Sequence, residues 1–300
     1  MTRDTSRCAV PADVLNGYGQ IYLREPLDAD VHDLKARLRQ GDYSKPFVMD
    51  DGAVRSLHFS PAFVQSAMSL DQPHALNLAY TRKMMGFLLF LPRPKHVVVV
   101  GLGGGSLTKF CHGQLPRARI TTVEKDEDVI GFSDFFDVPA QDERMRIVHA
   151  DAVEYFATTE ERADVILLDG CDACGIAPEF GNPRFYQNLR ARLQPRGILV
   201  ANLVGPPDVH KMHRRLIADT FPGQVIVQNV ATEGNRVVFA FNDPWRAPDW
   251  SVIERDARKL ARRHGLDFPA FARKLQRSYA RQVLGSSGDE PDAMISMRRS

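Results

Sequence analysis

Long apolar runs are missing from this chain. The longest, "MMGFLLFLP", is stopped by Pro92, far short of the roughly 20 residues that a spanning helix needs. The first residues, "MTRDTSRCAVPADVL", hold no apolar core of the secretory kind. Both absences predict a cytoplasmic protein, in a compartment where thiols stay reduced. Cysteine is scarce as well: Cys8, Cys111, Cys171 and Cys174 are too few and too scattered for a disulfide framework. An excess of one charge is also lacking. Lys+Arg 39 against Asp+Glu 37 leaves a net +2, which is no footprint for nucleic acid or for a membrane surface. Bases do gather late, in "ARKLARRHGLDFPAFARKLQRSYARQ", but apolar residues and acids interleave with them, as on a solvated helix face. There is no internal repeat, and no G-x-x-x-x-G-K-[ST] phosphate loop.

What is present is an ordinary globular composition, 44% hydrophobic and 25% charged over 300 residues, enough for one large domain with a small companion. Over residues 1–90 the pattern is β-rich. "GQIYLREP" predicts a strand, and "VHDLKARLRQG" a helix ending on Gly41. "PFVMDDGAVRSLHF" predicts two strands around an Asp51-Gly52 turn. "HALNLAYTRKMMGFLLFL" has helical spacing. From Lys95 the pattern becomes strand, loop, helix, repeated. "HVVVVGLGGGS", "RITTVEKD", "MRIVHADAVEYFA", "ADVILLDG" and "GILVANL" carry five near-continuous apolar strands, and "GQVIVQNV" with "NRVVFAFN" predicts an antiparallel pair. Such runs alternating with helices mean an α/β fold, a Rossmann-like and mostly parallel sheet covered on both faces. Residues 91–284 are assigned to it, with amphipathic C-terminal helices from Trp245 to about Leu284, and 285–300 to a mobile polar tail.

In a sheet of this kind ligands bind beyond the carboxyl ends of the strands, and the acids that end these runs lie at such places. Gly101, Gly103 and Gly105 follow the first strand and open a helix, where glycine permits close backbone approach and free N–H groups are on offer. Glu124 ends the second strand, at the place where an acid holds ribose hydroxyls. Asp151-Ala152 ends the third; Asp151 suits an exocyclic adenine amine, or an N-cap, or both. Together they describe an adenosine pocket. The fourth strand delivers Asp169, with Asp172 close behind in "VILLDGCDACGI". A pair of acids there suits an ammonium group and a proton taken from an amine nucleophile; for Asp172 the competing reading is a loop-stabilising Asx turn. Cys171-x-x-Cys174 lacks a second pair or histidines at metal spacing, so it is read as packing, and no metal is expected.

Taken together, "FVQSAM", "LAYTRKMM", "VVVVGLGGGSLTKF", "TTVEKDEDVI", "HADAVEYF" and "ADVILLDGCDACGIAPEFGNPRFYQNL" resemble, in order and spacing, the spermidine synthase-like polyamine aminopropyltransferases. The resemblance covers about Tyr43 to Asn242. It implies a β-stranded N-terminal part joined to a class I methyltransferase-like domain, paired as a homodimer. It implies decarboxylated S-adenosylmethionine as donor, a diamine such as putrescine as acceptor, and methylthioadenosine as product. By position Asp169 is then the general base, with Asp172, Gln65 and Tyr80 around the amine. Glu124 and Asp151-Ala152 hold ribose and adenine. Three positions depart from the family pattern. Gly104 stands where an acid is usual, Tyr80-Thr81-Arg82 replaces Tyr-His-Glu, and Ala173 replaces a proline. An arginine near the donor's tail would favour a carboxylate there. Intact S-adenosylmethionine as donor for methyl or aminocarboxypropyl transfer, and a non-catalytic nucleoside-binding protein, are therefore the alternatives.

Overall fold

The computed structural model describes residues 5–61, 63–172, 175–230, 234–244 and 246–285. The predicted tail beyond residue 285, Ala173 and Cys174 lie outside the described residues. An antiparallel meander comes first: β1 (Thr5–Pro11), β2 (Gln20–Pro26), helix α1 (Val31–Gln40), β3 (Phe47–Asp50), β4 (Val54–Ser60) and β5 (Phe63–Ser69), the strands hydrogen-bonded in that order. The sequence missed β1 and β5. Both are edge strands of this sheet and need satisfy only one neighbour, so their patterning is weak. At the β3–β4 hairpin the Asp51 carboxylate accepts the Ala53 and Val54 N–H groups, and Gly52 supplies a φ of 87°. Helix α1 ends on Gly41, as predicted, and starts on an Asp30 cap.

The helix expected over 74–91 is much shorter. Only α2 (Ala79–Met84) is α-helical, followed by a 3₁₀ stretch over Met85–Leu89. The Arg82 guanidinium accounts for the late start: it donates to the carbonyls of Leu76 and Asn77, each at 2.6 Å, and holds that segment off a helical path. The 3₁₀ stretch is buried all round, with Met85, Gly86, Phe87 and Leu88 inside, so a one-sided helical stripe has no outer face to present.

The second sheet follows the predicted rhythm. Its strands are β6 (His96–Val100), β7 (Arg119–Glu124), β8 (Met145–His149), β9 (Ala163–Leu168), β12 (Leu193–Leu203), β13 (Val225–Asn229) and β14 (Arg236–Phe241). Between β9 and β12 lies an unpredicted two-residue hairpin, β10 (Cys171–Asp172) with β11 (Gly175–Ile176). The helices are α3 (Ser106–Gln114), α4 (Glu127–Gly131), α5 (Ala152–Thr158), α6 (Pro183–Ala191), α7 (Pro207–Thr220), α8 (Trp250–His264) and α9 (Phe268–Gly285). Strand order is β13-β14-β12-β9-β6-β7-β8; only β14 runs against the rest, antiparallel to both of its neighbours, β12 and β13. The fold is α/β, with the mostly parallel sheet expected. Every residue of β6 is buried. Val97 and Val99 face one core, with α8 and α9. Val98 and Val100 face the other, with α5, α6 and α7. The first core continues into the meander through Val48, Leu57 and Met68.

A lysine sits at that junction. Lys109 of α3 is buried, its ammonium donating to the Phe136 carbonyl and to the Met68 sulfur. Burial pulls its pKa down to about 8, with Asp137 opposing. The unfolded chain keeps this lysine protonated toward its ordinary 10.5. Between those values the unfolded state binds more protons, and stability rises with pH. Measured by denaturant unfolding, the native chain should therefore gain stability from about pH 8 to about pH 10 relative to Lys109→Met; a flat difference would contradict the assignment.

Candidate active site

Parallel strands β6 and β9 are neighbours, yet the chain leaves them toward opposite sides of the sheet, which makes their ends the topological switch point. The two ends touch. Asp169 N–H donates to the Val100 carbonyl, and a Cβ on Gly101 (φ 90°) would lie 2.5 Å from the Asp169 carbonyl oxygen. Only glycine permits that approach. Gly103 and Gly105 also have positive φ, and Gly105 caps α3 against Val138.

A cavity of about 650 Å³ opens at this point, between the strand ends and the meander, a size suited to a nucleotide-like ligand with a second small molecule. It gathers all the residues predicted for the site except Gly105, which lies beneath the turn: Gly101, Gly103, Glu124, Asp151, Ala152, Asp169, Asp172, Gln65 and Tyr80. Glu124 Oε2 accepts from the Leu102 N–H at 2.8 Å and Oε1 from the Asp126 N–H at 2.9 Å. Burial pushes its pKa up, and these N–H groups oppose the rise. Asp151 is the N-cap of α5, accepting from Val153 and Glu154, and it also lines the cavity.

Asp169 is held from two sides. Oδ1 accepts from Asn202 Nδ2 at 2.8 Å, and Oδ2 from the Tyr80 hydroxyl at 3.2 Å. Burial raises its pKa to about 7, and these two hydrogen bonds oppose the rise. Asp172 opens the β10–β11 hairpin, its Oδ1 accepting the Gly175 N–H at 3.0 Å. The loop-stabilising reading therefore holds, while the residue still lines the cavity. Gln65 Nε2 donates to the Asp172 carbonyl at 3.1 Å and ties the meander to that hairpin. The Cys171 thiol is pushed well above its usual pKa by burial and by Asp169 and Asp172, the opposite of a reactive thiolate. Among the described residues no cluster of His, Cys, Asp and Glu is arranged for a metal.

The sequence did not flag Asn202, Asn235 or the Lys125–Glu179 ion pair at the rim. Asn202 had a signal, a polar residue within "ILVANL". The ion pair joins residues 54 apart and left none. Among the described residues, the cavity's carboxylates are Glu124, Asp126, Asp151, Asp169, Asp172 and Glu179. The one ammonium among them is that of Lys125, and it is taken by Glu179. Such a surplus of acid favours a cationic ligand. On the meander side the wall is apolar, with Phe59, Phe63 and Val64; Phe63 and Val64 are 61% and 53% exposed.

Comparison with known proteins decides the family. A polyamine aminopropyltransferase from Chromobacterium violaceum is 33% identical over 251 residues, which is 83% of this chain and 96% of that one. The chain belongs to the polyamine aminopropyltransferase family. It is a transferase, and residues 77–218 match the model of the spermine/spermidine synthase domain. The polyamine aminopropyltransferase of Neisseria meningitidis serogroup A is 34% identical over 223 residues, covering 74% of this chain and 85% of that one. The fold is shared with a probable spermidine synthase from Corynebacterium glutamicum (TM-score 0.62, 18% identity, 87% of this chain and 97% of that one).

Two departures from the family pattern acquire physical reasons. Gly104 is packed in: a Cβ there would sit 2.7 Å from Ser66 Oγ and 2.9 Å from a Phe136 ring carbon. Arg82 does not line the cavity, because its guanidinium is spent on the carbonyls of Leu76 and Asn77. The idea of an arginine facing a donor carboxylate is thereby removed. Restoring an acid with Gly104→Asp should destabilise the fold by about 1–3 kcal/mol through overpacking, measured as a lower denaturant midpoint at unchanged slope. An unchanged midpoint would show that Phe136 and Ser66 yield easily.

Proposed function

We propose that the chain transfers an aminopropyl group from decarboxylated S-adenosylmethionine to the nitrogen of a diamine such as putrescine, releasing methylthioadenosine. One observation carries this reading above the others: a carboxylate poised near pH 7 at the tip of β9, inside a cavity crowded with acids. An amine attacks only when neutral, so it must lose a proton to a base whose pKa lies near the working pH. Glu124 then accepts from the ribose hydroxyls, and Asp151 with Ala152 meets the adenine. The amine nitrogen attacks the methylene bound to sulfur; the C–N bond forms, the C–S bond breaks, and its electron pair neutralises the sulfonium. Asp169 takes the ammonium proton. Tyr80, Gln65 and Asp172 hold the nitrogen in line, so most of the rate comes from orientation and deprotonation. The only ammonium at the cavity among the described residues is already paired with Glu179, so a donor carboxylate would meet acids rather than a cation; this favours the decarboxylated donor over intact S-adenosylmethionine. The two halves, 1–90 and 91–284, act as two walls of one site, in a cytoplasmic homodimer.

Mass spectrometry of products from a diamine panel with both donors tests the reading: a mass gain of one aminopropyl group with the decarboxylated donor supports it, and methylated product from the intact donor sinks it. Asp169→Asn should lower kcat by about 10³-fold while methylthioadenosine binding, followed by calorimetry, stays within about threefold. In the native chain kcat/KM should rise as pH rises through about 7, because the base works only when ionised.

A further inference from the structure

Behind Asp169 lies a second amide. Asn202 Nδ2 donates to Asp169 Oδ1 at 2.8 Å, and Asn235 Nδ2 donates to Asn202 Oδ1 at 2.9 Å. Asn202 lies next to last in the buried run of β12, and Asn235 immediately precedes β14; both are at least nine-tenths buried. The direction of this chain is forced. An ionised carboxylate has no hydrogen to give, so Asn202 must turn its NH₂ toward Asp169. Its carbonyl then points the other way, and Asn235 must answer it with its own NH₂. One lone pair of Oδ1 goes to Asn202 and one of Oδ2 to Tyr80, which leaves the carboxylate plane fixed and one lone pair on each oxygen for a proton.

We propose that Asn202 and Asn235 are positioning residues, a relay of fixed polarity that orients the Asp169 carboxylate and favours its ionised form. The proposal rests on the aminopropyl transfer reading for its effect on rate, but not for its effect on titration. The groups facing Asp169 from elsewhere are the Tyr80 hydroxyl from α2 and Cys171 and Asp172 from the hairpin; Glu124 and Lys125 line the same cavity. The side chains from β12 and the start of β14 are the two neutral amides.

Asn235→Asp separates a relay from mere packing. It is nearly isosteric, so a packing role predicts a milder effect than Asn235→Ala. A relay predicts the reverse. The carboxylate introduced by this substitution has, once ionised, no hydrogen for Asn202. It draws the Asn202 NH₂ toward itself and leaves a carbonyl oxygen facing Asp169. The readout is ¹³C NMR titration of the aspartate carboxyls, with the Asp169 signal identified by its loss in Asp169→Asn, alongside the pH profile of kcat. The expected result is an Asp169 titration moved up by about one unit in Asn235→Asp, by less in Asn235→Ala, and upward also in Asn202→Ala. The acidic limb of kcat should move with it, at an unchanged methylthioadenosine affinity that certifies the fold. Titrations that stay at the native position in all three variants overturn the relay. A native chain that makes no aminopropyl product, with the titrations shifted as stated, overturns the reaction and leaves the relay standing.

Discussion

A carbonyl oxygen occupies the place where residue 101 would carry its Cβ. The rest of the site depends on that contact. Because Gly101 has nothing there, the ends of β6 and β9 come together backbone to backbone, and Asp169 is delivered beside the glycine turn rather than one side chain's width away. The same approach aligns Glu124 with the Leu102 N–H, so the acid at the tip of β7 is fixed by the turn at the tip of β6. Three strand ends become one surface through short main-chain distances, which leave little room for relaxation.

Electrostatics then sort the acids that this geometry assembles. Glu124 and Asp151 each accept hydrogen bonds from backbone N–H groups, and at Glu124 burial still raises the pKa against them. Asp172 is tied to its own hairpin. Asp169 is buried to a pKa of about 7, with only two donors to oppose the rise. Carboxylates of one chemical type thereby meet different surroundings within one cavity. The groups around these acids come from several elements: Tyr80 from α2, Gln65 from β5 and Asn202 from β12.

Much of this was legible in the sequence. The near-continuous apolar runs locate β6, which leads into the glycine turn, and β7, β8 and β9, which lead to Glu124, Asp151 and Asp169. The order and spacing of those segments carry the family. What was not legible has local causes. The stretch 74–78 has helical spacing but is held off a helical path by Arg82, a residue several positions further on whose side chain folds back. The hairpin at Cys171–Ile176 is two residues a side, too short for any period. Gly104 looked like a lost function; its neighbours Ser66 and Phe136, distant in sequence, show that the space is filled. Asn202 was visible as a polar interruption in an apolar strand, but its partner Asn235 is 33 residues off, and no periodicity links them.

The exposed side chains Phe63 and Val64 lie on β5, an edge strand that also forms a wall of the cavity. Edges of this kind are ordinarily blunted with lysine, proline or a short strand, because bare backbone groups beside apolar side chains invite other chains to pair. Here that remedy collides with the chemistry next door, since a lysine at either position would bring positive charge to the rim of an acidic site. The edge of the sheet and the charge at the rim of the cavity are thus tied to the same two residues.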